Sequence, residues 1–171
     1  MTIYIYIMNK ILSQLGYFGP LTLFILTNAL MVNKGITDPI SYFAVLMWQI
    51  LNLELNHLLK ILIRKPRPDG GTNINFLDRL DSKNYGMPSG HAQQVFSEFT
   101  FIALAFRNKS ATMFAAAQSL LTLIQRYSHK KHNIRQLVVG SIIGVAVGWG
   151  FYRENRFGHL GCQCQGDRSG S

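Results

Sequence analysis

The sequence predicts an all-α bundle of membrane-spanning helices. Charged residues nearly vanish from several apolar windows and crowd into the segments between them, which is the pattern of a polytopic membrane protein. The chain has 171 residues, which is a single-domain length, and 17 Lys and Arg against 8 Asp and Glu give a formal charge of +9. Such a basic excess is typical of a protein that meets nucleic acid, an anionic membrane surface or a phosphorylated substrate.

Five windows are candidate spanning helices, although several are shorter than the roughly 20 residues that a bilayer core needs. In the last of them Gly140, Gly144 and Gly148 are spaced four apart, which gives one small face for close helix packing. The N-terminal segment "MTIYIYIMNKILSQLGYF" has no basic stretch and no cleavage site of small residues, so we expect an interfacial or partly inserted segment rather than a signal peptide. The five windows are residues 17–33, 40–63, 92–106, 111–125 and 134–152.

One long loop and a polar tail interrupt this pattern. The loop, about residues 64–87, is rich in Pro, Gly and charge, and a loop of that length in a compact protein is usually functional or disordered. We expect one membrane domain over residues 1–155 and a flexible polar tail over 156–171, whose Cys162 and Cys164 have no role in the main function. With five crossings, the N-terminus, the long loop and the connection after the fourth helix share one side. Charge counting does not orient that side, because basic residues recruited to a ligand would also be counted there.

The segment "YGMPSGHAQQ" combines three features of a ligand-binding helix start. Pro88 suits the first turn of a helix, Ser89 can cap the orphan amides, and Gly90 lets the backbone approach a ligand closely. Exposed amides at a helix N-terminus bind anions, and His91 beside them can donate a proton. A capped helix with an incidental histidine is the alternative interpretation.

Two further clusters fall on the same side of the bundle as this segment. In "KILIRKPRP", Lys60 stands at the end of the second helix, where a cation complements the helix dipole, and Arg67 follows between two prolines. In "QRYSHKKHNIRQ", Arg126 leaves the fourth helix and His132 precedes the fifth. Two arginines, a lysine, a serine hydroxyl and helix-start amides suit a phosphoryl group, and two histidines supply a nucleophile and a proton donor. Each residue taken singly would more often be an ordinary loop residue.

The order K-x6-RP, PSGH and R-x5-H resembles the type 2 phosphatidic acid phosphatase (PAP2) superfamily of metal-independent lipid phosphatases. The resemblance covers residues 60–136 and implies a membrane enzyme with no metal and no cofactor, whose active site lies at one membrane face. It implies that His132 attacks phosphorus to form a phosphohistidine and that His91 protonates the leaving group. The residues that it assigns to the phosphoryl oxygens are Lys60, Arg67, Ser89, Gly90 and Arg126.

The third motif departs from the family pattern S-R-x5-H-x3-D, since Gln125 and Gln136 stand at its two ends. An acid four residues after the histidine would hold its tautomer and stabilise its positive charge, and loss of such an orienter costs about 10⁴ in a Ser–His–Asp enzyme. The carbonyl of Gln136 can accept the ring N–H without supplying charge, so we expect a supporting role for it. Gln at this position, with "YGMPSGHAQ" and "LVVGSIIGV", is similar to the dolichyl-diphosphatase branch, which implies a polyisoprenoid diphosphate substrate.

Other functions fit fewer residues. A catalytically weakened PAP2-like protein with a binding or structural role is favoured by the two glutamines and opposed by the retained histidines. No G-x-S-x-G elbow surrounds Ser89, which disfavours a serine hydrolase. A metal site at His129 and His132 has no obvious third ligand, because acids such as Asp78 are scattered along the loop. Basic residues alternate with spanning segments, which excludes nucleic acid, so a lipid phosphate or diphosphate and the membrane are the expected partners of this multi-pass protein.

One stripe of the second predicted helix is ionisable, with Glu54, His57, Lys60 and Arg64 at helical spacing. Ionisable residues within membrane helices generally face the bundle interior and are functional candidates. We therefore expect Glu54 and His57 to support Lys60 or to line the path of a prenyl phosphate, with a structural polar pair as the alternative.

Overall fold

Every regular element in the described part of the chain is an α-helix. A computed structural model describes residues 2–81 and 85–155, and the predicted tail with Cys162 and Cys164 lies outside these residues. The helices are α1 (Thr2–Tyr17), α2 (Gly19–Asn33), α3 (Pro39–Ile63), α4 (Phe76–Asp81), α5 (Gly90–Ala105), α6 (Lys109–Ser128) and α7 (Ile134–Asn155).

Five of these helices, α2, α3, α5, α6 and α7, are the five predicted windows, with bounds that differ by a few residues at most. Local capping fixes several of the ends. The Asp38 side chain accepts a hydrogen bond from the amide of Ser41 at 2.8 Å, and Pro39 occupies the first turn of α3. Asn108 caps α6 in the same way, through the amide of Ala111 at 3.1 Å.

Two helices lie outside the predicted windows. The segment expected to be interfacial forms α1, and α4 is a short helix inside the long loop. A bend of 61° separates α1 from α2, and both helices pack on α6. Glycine allows this contact: a Cβ at Gly16 would lie 2.6 Å from the Cβ of Gln125, and a Cβ at Gly19 would lie 2.0 Å from the Oγ1 of Thr122.

The described helices differ in how well they meet the length and composition of a membrane span. Ile134–Glu154 is long and apolar enough to cross alone, and Met8–Tyr17 with Gly19–Asn33 meets the test only as one bent pair. α5 has 16 residues, which extend about 24 Å against about 30 Å of bilayer core. α3 has 25 residues, but Asn52 and Asn56 on its buried face make it more polar. Five crossings therefore stay a prediction.

Polar side chains line the contact between α3 and α5. Gln93 donates through Nε2 to Oδ1 of Asn52 at 2.7 Å, and Asn56 donates through Nδ2 to Oε1 of Gln93 at 2.8 Å. Asn52 donates in turn to Oε1 of Gln94 at 2.9 Å, so these buried amides satisfy one another. This stripe is the inner face of α3, whereas Glu54 is exposed. His57 and Arg64 are exposed as well, so the prediction that the whole ionisable stripe faces the interior is confirmed for Lys60 and wrong for the other three residues.

The contact between α5 and α7 is the most extensive in the described part of the bundle. A Cβ at Gly144 would lie 2.3 Å from the carbonyl oxygen of Gln93, and one at Gly148 would lie as close to a carbonyl one turn further along α5. A Cβ at Gly140 would lie 2.5 Å from the carbonyl oxygen of Ser89, the residue that caps α5. The small face predicted from the glycine spacing is confirmed, and backbone rather than side chain faces it.

Gly144→Ala is expected to lower the free energy of unfolding by about 1–3 kcal/mol, because backbone must move to admit the methyl group. Gly150→Ala is the matched control: its Cβ would have no atom of the described residues within 4 Å, and Ala is about 1 kcal/mol more favourable than Gly in a helix. Thermal unfolding in detergent measures both variants. Equal melting temperatures would contradict the close approach of α7 to α5.

Candidate active site

The predicted nucleophile His132 is buried between α6 and α7, with 1% of its surface exposed. Its Nδ1 lies 2.9 Å from the carbonyl oxygen of Gly86 and 3.3 Å from Oε1 of Gln136. Both neighbours are acceptors, so Nδ1 carries the proton and Nε2 keeps its lone pair. Arg67 Nη1 lies 3.4 Å from that Nε2. The imidazole therefore presents an unprotonated nitrogen beside a guanidinium.

Gln136 connects all three predicted motifs. Its Nε2 donates to the carbonyl oxygen of Pro66 at 2.8 Å, and its Oε1 accepts from the amide of Asn133 at 3.2 Å. These two partners fix which way the side-chain amide faces, and they direct Oε1 toward His132. The carbonyl oxygen of Gln136 accepts from the amide of Ser89 at 3.1 Å. The predicted supporting residue thus contacts His132, and Gly86, which residue-type reasoning missed, supplies the nearer acceptor.

The PSGH segment begins α5. Ser89 is the N-cap and is fully buried, and its Oγ accepts from the amide of Ala92 at 3.5 Å. The helix starts at Gly90, so Pro88 precedes the cap, and the prediction that it occupies the first turn is wrong. A Cβ at Gly90 would lie 2.9 Å from a side-chain oxygen of Asn56 on α3, so glycine here also permits helix packing.

Arg126 is fully buried at the end of α6 and pairs with Asp78 of α4 at 2.8 Å. Asp78 also lies 3.2 Å from Nζ of Lys131, and Lys131 donates to Oδ1 of Asn73. Burial acts to raise the pKa of Asp78, but the charge and hydrogen bond of Arg126 outweigh it and hold that pKa below its usual value. The interpretation of the loop acids as scattered is therefore wrong for Asp78, which fixes the long loop to two cations.

Tyr17, the last residue of α1, lies near both His91 and Arg126. Its ring centroid is 5.2 Å from that of His91, and the guanidinium carbon of Arg126 lies 5.9 Å from the Tyr17 ring centroid. Both contacts fall within the range of aromatic and cation–π interactions. Sequence reasoning missed this residue, because nothing in the apolar N-terminal segment marks which aromatic side chain turns toward the motifs.

Lys60 and His91 lie on the wall of a cavity of about 460 Å³ between α2, α3 and α5. Lys60 is itself 7% exposed, so its ammonium is held in a largely enclosed place. Apolar side chains, among them Leu21 and Leu53, line the cavity as well. The site residues thus form two groups, one around His132 and one around the cavity, and Ser89 with the following Gly90 joins them along the chain.

His129, the second histidine of the proposed alternative metal site, makes hydrogen bonds to two hydroxyl groups through its two ring nitrogens. Its Nε2 lies 2.7 Å from Oγ of Ser13 and its Nδ1 lies 2.9 Å from Oγ1 of Thr72, which joins α1 to the long loop. Burial lowers the pKa of His129, which favours its neutral form. Within residues 2–81 and 85–155, no three His, Cys, Asp or Glu side chains converge as ligands of one ion.

Asp78→Asn is expected to cost about 3 kcal/mol or more of unfolding free energy at pH 7, because it leaves Arg126 and Lys131 buried without their carboxylate. The pKa of Asp78 is lower in the folded state, so the pair stabilises fully above pH about 4 and is lost as the pH falls through the folded pKa. Unfolding in detergent at several pH values should show this acid step in the wild type and lack it in the variant. Asp69→Asn, at an exposed acid of the same loop, is the control, and equal stability of the two variants would contradict the assignment.

Comparison with known proteins shows the family of this chain. Residues 40–157 match the PAP2 superfamily. A dolichyldiphosphatase of Saccharomyces cerevisiae is 28% identical over 123 residues, which cover 66% of this chain and 51% of the relative, so the chain spans about half the length of that protein.

One solved structure shares the fold. It is described as the first transmembrane PAP2 type phosphatidylglycerolphosphate phosphatase from Bacillus subtilis, and it superposes with a TM-score of 0.68 at 17% identity. The match covers 87% of this chain and 77% of the other. The family match alone covers more than half of the chain and includes all three motifs. The chain therefore belongs to the PAP2 superfamily.

Proposed function

We propose that this chain is an integral membrane lipid phosphatase that hydrolyses a polyprenyl, dolichyl-like diphosphate or a related lipid phosphate through a phosphohistidine. The observation that carries the proposal is the state of His132. Its Nδ1 faces the acceptors Gly86 and Gln136, and its Nε2 lies 3.4 Å from Arg67 Nη1. An imidazole protonated on Nδ1 turns its unprotonated Nε2 toward a guanidinium here, and nucleophilic attack on a phosphoryl group needs such a nitrogen next to a cation that can hold the phosphoryl oxygens.

The first step is attack of His132 Nε2 on phosphorus. A P–N bond forms, the P–O bond to the leaving group breaks, and His91 gives a proton to the departing oxygen where that oxygen needs one. Water then attacks the phosphohistidine, the P–N bond breaks, and inorganic phosphate leaves. Arg67 and Lys60, with the amides at the start of α5, hold the non-bridging oxygens during both steps.

In the described part of the chain, the groups that Nδ1 of His132 faces are dipoles and carry no charge to support the intermediate. The two acceptors at Nδ1 of His132 are the carbonyl of Gly86 and the amide of Gln136, both neutral. Asp78 pairs with Arg126. A leaving group that departs easily suits such a site, and the phosphate of a lipid diphosphate is a better leaving group than an alkoxide. The dolichyldiphosphatase name of the yeast relative points the same way.

A membrane setting is supported by where the side chains lie. The exposed fraction is 68% for Leu62 and 63% for Ile142, whereas Gln93 and Glu98 are buried. Glu98 is held inside the bundle by Thr27, whose Oγ1 donates to it at 2.5 Å. In water this distribution would leave large apolar patches exposed, while in a bilayer it hides the polar groups among the helices.

Phosphate release by the purified chain in detergent, with EDTA present, tests the proposal. Prenyl diphosphate is expected to be hydrolysed faster than the matching prenyl monophosphate or phosphatidic acid, and His132→Ala is expected to release no phosphate. His129→Gln removes a histidine three residues away and should retain activity. Activity of His132→Ala within about tenfold of wild type would reject it as the nucleophile, and strict dependence on Mg²⁺ would reject the mechanism. Binding of all three lipids without release would favour the binding-protein alternative.

Gln136→Ala is expected to lower kcat by about tenfold, far less than the roughly 10⁴ lost with an orienting acid, because Gly86 still accepts from Nδ1. The loss arises because the carbonyl of Pro66 and the amide of Asn133 lose their partner. Steady-state kinetics on prenyl diphosphate measure the effect. Val138→Ala, at an exposed position of the same helix, is the control and should be silent. An unchanged rate in Gln136→Ala would show that the side chain positions neither His132 nor Arg67.

A further inference from the structure

One hydrogen-bond donor on the cavity wall, His57, has no role in the reaction steps proposed above. His57 lines it together with Lys60 and His91. His57 and Lys60 are three residues apart on α3, so they lie on the same face of the helix. Lys60 is buried and His57 is exposed, so the two place nitrogen donors at different depths of one cavity wall.

The in-line geometry of phosphoryl transfer determines which part of the substrate lies against His57 and Lys60. In phosphoryl transfer the nucleophile and the leaving oxygen lie on opposite sides of phosphorus. His132 attacks from one side, and the proposed proton donor His91 marks the other. Because His91 lines the cavity, the leaving group must lie in or at the mouth of the cavity.

The two candidate substrate classes place different chemistry at that position. A lipid monophosphate places a hydrocarbon chain there immediately after the ester oxygen. A lipid diphosphate places a second phosphoryl group there, whose negative charge needs N–H donors before the chain begins. Apolar side chains line the rest of the cavity, Leu21, Leu53 and Leu77 among them, and suit the chain that follows.

We infer that His57 binds the phosphate that stays on the leaving lipid, next to the transferred phosphoryl group that Lys60 holds, and that it thereby selects diphosphates over monophosphates. The inference rests on the proposed function. In the reaction, the bond between the terminal phosphorus and the bridging oxygen breaks, and that oxygen departs on the lipid monophosphate. His57 N–H donates to the non-bridging oxygens of this phosphate, as an imidazole can in either protonation state. His57 is then a specificity-determining residue rather than a group that takes part in the bond changes.

The test measures binding, so that it does not depend on turnover. The full chain in detergent is titrated with two non-hydrolysable probes of the same chain length, farnesyl methylenebisphosphonate and farnesyl phosphonate. His57→Ala is expected to weaken binding of the bisphosphonate about tenfold or more, because charge-assisted hydrogen bonds are lost, and to change binding of the phosphonate less than about twofold. His57→Lys, which restores a donor and a positive charge, is expected to recover most of the affinity for the bisphosphonate.

Glu54→Gln is the matched control. Glu54 lies one turn away on α3, is exposed, and is not among the residues that line the cavity. Its substitution should leave the affinity for both probes unchanged. Equal weakening of both probes by His57→Ala would mean that His57 contacts the chain or the shared phosphonate, and would overturn the inference. No weakening of either probe, or the same weakening in Glu54→Gln, would overturn it as well.

Failure of the proposed function would look different. The protein could release no phosphate from any lipid and still discriminate the probes through His57. That result would support the His57 subsite and reject the phosphatase activity. Phosphate release that requires His132, together with an unchanged ratio of the two affinities in His57→Ala, would support the phosphatase activity and reject the His57 subsite.

Discussion

The contact between α5 and α7 is the constraint on which the site depends. Because Gly140, Gly144 and Gly148 carry no side chain, α7 lies against backbone carbonyls of α5 and of its capping residue. At this separation the amide of Ser89 reaches the carbonyl of Gln136, which places the start of α5 beside the start of α7. His91, the proposed proton donor, lies at the start of α5, and His132, the proposed nucleophile, lies just before the start of α7, so helix packing sets where the two histidines lie.

The long loop completes the site through charge. Asp78 takes a fully buried position between Arg126 and Lys131, and its short helix α4 is thereby fixed to the end of α6. The same loop brings Arg67 to His132, while Gln136 holds the backbone of Pro66. The buried Arg126 and Lys131 would repel each other, and the carboxylate of Asp78 between them offsets that repulsion. In the proposed reaction, Arg67 and Lys60 bind the phosphoryl group.

Much of this could be predicted from the sequence, for identifiable reasons. Apolar windows located five helices, and the spacing of glycine located the face used in packing. What escaped prediction depends on contacts that residue types do not encode. The acceptor nearest to His132 is the main-chain oxygen of Gly86, and any residue has such an oxygen. Asp78 looked like one loop acid among several, and Glu54 fitted the helical spacing but faces outward. The assigned roles of the site residues and the number of spanning helices remain predictions.

Transfer of a phosphoryl group to Nε2 of His132 is the central claim, and direct detection of the intermediate tests it. The full chain in detergent, mixed with prenyl diphosphate and quenched within milliseconds in alkali, is digested and analysed by mass spectrometry and phosphorus NMR. The expected result is one phosphoryl group on Nε2 of His132, stable in alkali and lost in acid, because Nδ1 is held by Gly86 and Gln136. A phosphoryl group on Nδ1, on another residue, or on no residue during active turnover would contradict the account.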